Sequence, residues 1–140
     1  TMFGKLTKIF LLVLLPISIG NAEEGNWHIV NYWSEWCAPC RIEIPMFNSL
    51  SEELADKNIS IVGVNFDEDP REITLQIAEE LGVSFPTLTM AEVEELAMRP
   101  PDVMPTTYIL TPENEVVTKL IGMQKKEDIL KELVKLGIEI

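Results

Sequence analysis

Basic side chains are scarce in this chain. Its 140 residues carry 11 Lys and Arg against 23 Asp and Glu, for a net charge of −12. Such a surface repels phosphate backbones and anionic lipid, which argues against nucleic acid as a partner and against direct membrane binding by the folded domain. Histidine is scarcer still, with His28 standing alone. A zinc site needs two more good ligands beside the cysteines and none is evident, so no metal ligands are assigned and His28 reads as structural or exposed. No apolar run reaches the ~20 residues that span a bilayer. The longest, Ile9 to Ile19, stops well short. Internal repeats, low-complexity tracts and linkers are missing too, which leaves one domain with a real core. Cysteine is limited to Cys37 and Cys40, too few for a multi-bridge framework.

Those two cysteines are the most informative residues present. Trp36-Cys37-Ala38-Pro39-Cys40 follows an apolar run and precedes an amphipathic helical pattern. Thiols two residues apart at a helix start can close a disulfide across one turn. The unpaired N–H groups and positive dipole end there favour thiolate over thiol. As a staple the bridge would be weak: a four-residue loop gains roughly 2 kcal/mol, against about 4.7 for a 100-residue loop. The pair reads as an electron-exchange device.

The amino end carries an address. Lys5 and Lys8, the apolar stretch Ile9–Ile19 and the small residues Gly20 and Ala22 have the layout of a secretory signal peptide over residues 1–22. An uncleaved anchor is the alternative. Residues 23–140 then form the domain, placed outside the cytosol, periplasmic or otherwise extracytoplasmic, where disulfide chemistry persists.

Patterning predicts a buried strand over Trp27–Trp33, then a helix from about Ala38 to Asp56. Phe47, Leu50 and Leu54 mark the helix's inner face, and the same stripe runs back through Glu43 to Cys40. Pro45 falls on the other side. A second strand over Ile59–Phe66 makes a parallel pair with the first. Asp69-Pro70-Arg71-Glu72 predicts a helix start with Asp69 as N-cap, lined by Ile73, Ile77 and Leu81 and stopped by Gly82. Val83–Thr89 reads as a short strand, with Pro86 arguing for an edge or an irregular stretch, and Ala91–Met98 as a short acidic helix. Thr106–Thr111 and Glu115–Ile121 form a hairpin, and Lys125–Leu136 a closing helix with Ile129, Leu133 and Leu136 inward. The order describes an α/β fold, a mixed sheet with helices on both faces.

These residues resemble the thioredoxin superfamily, specifically the exported thioredoxin-like proteins of the TlpA/ResA/CcmG type. The likeness rests on Asn31 to Cys40, Glu43 with Pro45, Met104-Pro105-Thr106-Thr107-Tyr108-Ile109-Leu110, and Gly122, and covers nearly all of residues 27–136. It implies a thioredoxin-like three-layer α/β/α fold, with Asp67–Met98 as the central insertion of the exported group. It also implies a cis Met104–Pro105 bond beside the cysteines, a rare geometry even before proline. Two departures stand out. Asn31 replaces the buried acid of plain thioredoxin, with Glu43 taking its place, and Val103-Met104 stands where the group commonly has Gly-Val.

The resemblance implies a thiol–disulfide oxidoreductase, acting reductively on protein disulfide clients such as apocytochrome c or a copper-site cysteine pair. Its electrons would come from a membrane-embedded thiol donor. Cys37 is the nucleophile, Cys40 the resolving thiol, Glu43 the proton acceptor and Pro105 the client-facing proline. Trp36, Ala38, Pro39 and Met104 would contact the client. No cofactor is required beyond the Cys37–Cys40 pair itself. Two other readings remain open. One is a copper(I) assembly module using the same cysteines, with Met90, Met98, Met104 and Met123 as further soft donors. The other is an oxidant that introduces disulfides.

Overall fold

A computed structural model describes residues 25–96 and 98–140. The segment read as a signal peptide, residues 1–22, lies outside the described residues. The elements run β1 (Trp27–Trp33), α1 (Ala38–Glu53), a 3-10 turn (Ala55–Lys57), β2 (Ile59–Asn65), α2 (Arg71–Leu81), β3 (Thr87–Leu88), α3 (Met90–Glu94), β4 (Thr106–Leu110), β5 (Val116–Ile121) and α4 (Lys126–Lys135). One five-stranded sheet has the order β3-β2-β1-β4-β5. β1 pairs in parallel with β2, and β2 with β3, whereas β4 is antiparallel to both of its neighbours. The mixed sheet between helices is the arrangement expected from the resemblance.

Alternation along β1 divides the interior. Ile29 and Ile109 point to the face where Phe47 and Leu50 of α1 and Ile129 and Leu133 of α4 pack. Each of these six side chains is fully buried, worth ~1.5–3 kcal/mol apiece. On the same side, Ile77 and Ala78 of α2 join Trp33 and Cys40. Val30, Tyr32, Val64 and Tyr108 face the other way, against Val93 of α3 and Met98. The Tyr32 and Tyr108 rings meet edge to face at 5.8 Å. Thr89 opens α3 with a capping box shared with Glu92.

Several expected boundaries move. α1 stops at Glu53, and the stretch to Asp56 tightens into the 3-10 turn, which Asn58 ends in a left-handed conformation. α2 begins one residue later than expected, with Pro70 at the N-cap. Asp69 is unavailable as cap because its carboxylate accepts from Asn65 Nδ2 at 3.0 Å. The inner face of α2 is Thr74, Ile77 and Ala78, leaving Ile73 exposed. β3 is only two residues long, and ahead of it the Pro86 carbonyl accepts from Gly63 N–H at 2.8 Å. The stretch 67–98 thus supplies α2, β3 and α3.

Candidate active site

β1 and α1 meet at the end of the sheet where the cysteines sit. Chain reversal after Trp33 makes Cys37 the N-cap of α1, with extended backbone, and Pro39 falls in the first turn. Cys37 and Cys40 are joined as a disulfide with Cα atoms 5.3 Å apart. The Cys40 N–H points at Cys37 Sγ from 3.2 Å. An N–H aimed at this sulfur, together with the helix dipole, stabilises negative charge on it once reduced. The two sulfurs are unequal in access. Cys37 is partly exposed, whereas Cys40 is buried with Trp33, Ile77 and Ala78. Attack from outside can reach Cys37 alone.

Glu43 lies one turn beyond Cys40 on the buried stripe of α1 and is 1 % exposed. Its Oε1 accepts from Asn31 Nδ2 at 3.1 Å, and its Oε2 accepts from the Gln124 backbone N–H at 2.7 Å. Burial pushes the carboxyl up to about 7, against the opposing pull of the Gln124 and Asn31 hydrogen bonds. A carboxyl poised near neutrality accepts and returns protons readily. Asn31 Nδ2 also donates to Thr107 Oγ1 at 3.1 Å, while its Oδ1 has no protein partner.

The Met104–Pro105 peptide is cis, as the resemblance implied. Met104 packs against the cluster that holds Cys40, and so does Cys37. The Pro105 carbonyl accepts from Gly122 N–H at 2.8 Å. Gln124 Nε2 in turn donates to the Gly122 carbonyl at 3.0 Å. Gly122 takes φ +91, a backbone state that costs a side-chain-bearing residue. The proline loop, the β5–α4 loop and Glu43 are therefore one hydrogen-bonded circuit.

The surface around the cysteine turn mixes charged and apolar side chains, with Arg41 Nη1 donating to the Glu35 carbonyl at 3.3 Å. Trp36 is 81 % exposed just before Cys37 and Ile42 65 % exposed near the start of α1, with Val103 and Met123 exposed on the two loops just described. Ala38 and Pro39 are exposed in the turn between the cysteines. The structure thus brings Trp36, Cys37, Ala38, Pro39, Cys40, Glu43, Met104 and Pro105 to one end of the sheet. Gln124 and Thr107 were not foreseen. Gln124 bonds Glu43 through its backbone, which no side-chain pattern reveals, and Thr107 acts only through Asn31.

Other candidates separate from this site. His28 is half-buried, with Nδ1 2.7 Å from Ser60 Oγ, and burial lowers its proton affinity. Of the four methionines considered for copper, Met90 and Met98 belong to the cluster under α3 and Met123 is exposed. Among the described residues, no three His, Cys, Asp or Glu side chains gather as a metal cluster. No helix among them is long and apolar enough to cross a membrane.

Residues 16–119 match the AhpC/TSA family. The thiol-disulfide oxidoreductase ResA of Geobacillus kaustophilus is 30% identical over 109 residues, which is 78% of this chain and 62% of that protein. The chain thus spans less than two thirds of that relative's length. Among solved structures, StoA from Bacillus subtilis superposes with a TM-score of 0.64 at 25% identity, over 79% of this chain and 83% of that one. A secreted thiol-disulfide isomerase from Corynebacterium glutamicum gives 0.65 at 25% identity, over 88% and 77% respectively.

Proposed function

The chain belongs to the AhpC/TSA family, and on that premise we propose that it is a thiol–disulfide oxidoreductase that reduces client proteins outside the cytosol. The observation that carries this reading is the unequal pair: an accessible Cys37 at a helix start bonded to a fully buried Cys40, with Glu43 one turn on. In the reduced protein, Cys37 thiolate attacks one sulfur of a client disulfide. A mixed disulfide forms and the other client sulfur leaves as a thiolate, which takes up a proton. Cys40 then gives its proton to Glu43, directly or through one water, and attacks Cys37 Sγ. The mixed disulfide breaks, the second client thiol departs, and the Cys37–Cys40 bond forms. Two electrons have passed from the protein's dithiol to the client, and the cysteines carry both, so no bound cofactor is needed.

The apolar rim of Trp36, Ala38, Pro39, Ile42 and Met104 is the docking surface for the client segment. Pro105 presents the preceding backbone to that segment for strand-like pairing. The clients are apocytochrome c or a cysteine pair of a copper site, and a membrane-embedded thiol donor restores the reduced state. Support for action beyond the cytosol comes from the signal-like residues 1–22 and from a secreted structural relative.

Trapping tests the reading. Cys40→Ser with Cys37 intact should accumulate a reducible adduct with a protein disulfide substrate, and Cys37→Ser should not. If the pre-reduced native protein transfers no electrons to any protein disulfide, the assignment fails. Stoichiometric copper(I) capture that depends on the cysteines but not on Glu43 would replace it with the assembly reading.

A further inference from the structure

A fully buried amide whose two ends are unequally partnered faces the one buried carboxyl of the site. Asn31 Nδ2 donates both to Glu43 Oε1 and to Thr107 Oγ1, while nothing in the protein donates to Oδ1. That arrangement suits an ionised Glu43, because an amide N–H stabilises a carboxylate and a carbonyl oxygen would repel it. It suits a neutral Glu43 poorly, since the acid's own O–H then needs an acceptor. Turning the amide over supplies one: Oδ1 accepts from the carboxyl O–H and from the Thr107 hydroxyl. In either orientation one amide end is left without a protein partner, so nothing on the far side locks the side chain. The charge on Glu43 decides.

We propose that Asn31 is the positioning residue for proton transfer here, an amide that turns over with the charge on Glu43 and gives each protonation state a hydrogen-bond partner. The inference rests on the oxidoreductase reading for its catalytic meaning, though not for its structural content. It explains why an amide can stand where plain thioredoxin carries an acid: a second carboxyl at 3.1 Å from Glu43 would keep one of the two protonated, whereas an amide follows the proton without holding it. When Cys40 passes its proton to Glu43, Asn31 accepts from the new acid. When that proton leaves again, Nδ2 returns to the carboxylate. The other groups facing Glu43 are Cys40 on its own helix and the Gln124 N–H from the β5–α4 loop. Among the described residues no lysine or arginine ion-pairs with it.

The test is a pH titration of the full chain by NMR, following the Glu43 carboxyl carbon and the Asn31 side-chain NH2 together. The NH2 signals should move with the same midpoint as the carboxyl. Asn31→Leu should raise that midpoint by roughly one pH unit, because it removes a donor to the charged form. Thr107→Val, which removes a partner of Asn31 in both orientations, should leave the midpoint nearly in place while the Asn31 NH2 still follows Glu43. The pH profile of client release in single turnover should shift the same way, and Asn31→Leu should shift nothing in a Glu43→Gln background. An Asn31 NH2 that stays fixed while Glu43 titrates overturns the proposal. So does an unmoved midpoint in folded Asn31→Leu, or, where that variant does not fold, in Asn31→Ala. Failure of the native protein to reduce any protein disulfide would instead remove the oxidoreductase reading, and the titration would still report on the amide.

Discussion

Glu43 shows how burying one carboxyl sets its proton affinity against the stability of the fold. Burial pushes its carboxyl up from the ordinary 4.5 to about 7, so between those values the folded protein binds a proton that the unfolded chain has lost. Stability therefore falls as pH rises through that window, and above it the buried charge costs about 3 kcal/mol. Glu43→Gln is expected to stabilise the protein at pH 8 and to do so far less at pH 4, as read by urea unfolding at both values. The same variant should slow client release, since Cys40 loses its proton acceptor. Trp36 has the opposite character, contributing nothing to the core at 81 % exposure. Trp36→Ala should raise KM for a protein disulfide several-fold while leaving reduction of a small-molecule disulfide unchanged. Equal losses on both substrates would remove Trp36 from the docking surface.

Among the elements, β2 passes between β1 and the β3 end with no room for a side chain at Gly63. A Cβ added at Gly63 of β2 would lie 2.7 Å from Trp33 Nε1 and 2.8 Å from Phe85 Cε1. Both neighbours are buried, and Trp33 Nε1 is committed to Thr87 Oγ1 at 3.1 Å. Gly63→Ala is expected to destabilise by about 1–3 kcal/mol, seen as a lower urea midpoint at unchanged slope. β1 and the inner stripe of α1 were legible from sequence because they are apolar at the right period. The register of α2 was not. Hydrophobicity points to Ile73 as an inner residue, yet Thr74 is the one buried, its hydroxyl accepting from Asn65 Nδ2 at 3.0 Å. A polar side chain satisfied by a partner on another element looks, in sequence, like a surface position. The same Asn65 amide takes Asp69 away from the helix cap.

At the scale of the whole molecule, charge and chain order matter most. With a net charge of −12, approach of a basic client is accelerated and approach of an acidic one is slowed. The screening length falls from about 10 Å at 0.1 M to 3 Å at 1 M salt. Raising salt over that range should lower kcat/KM for a basic protein disulfide and raise it for an acidic one, with stopped-flow rates as the readout. Absence of any difference between the two clients would assign the acidity to solubility alone. The juxtaposition of Cys37, Cys40 and Glu43 could be read from a short stretch of sequence, whereas its support could not. Thr107 reaches Asn31 across 76 positions and Gln124 reaches Glu43 across 81. That separation has a temporal meaning. A polypeptide emerging amino end first displays its two sulfurs long before the N–H that bonds the Glu43 carboxyl exists. Until the last hairpin and helix arrive, the nascent chain holds thiols without a tuned acid, and the final segment is what arms it.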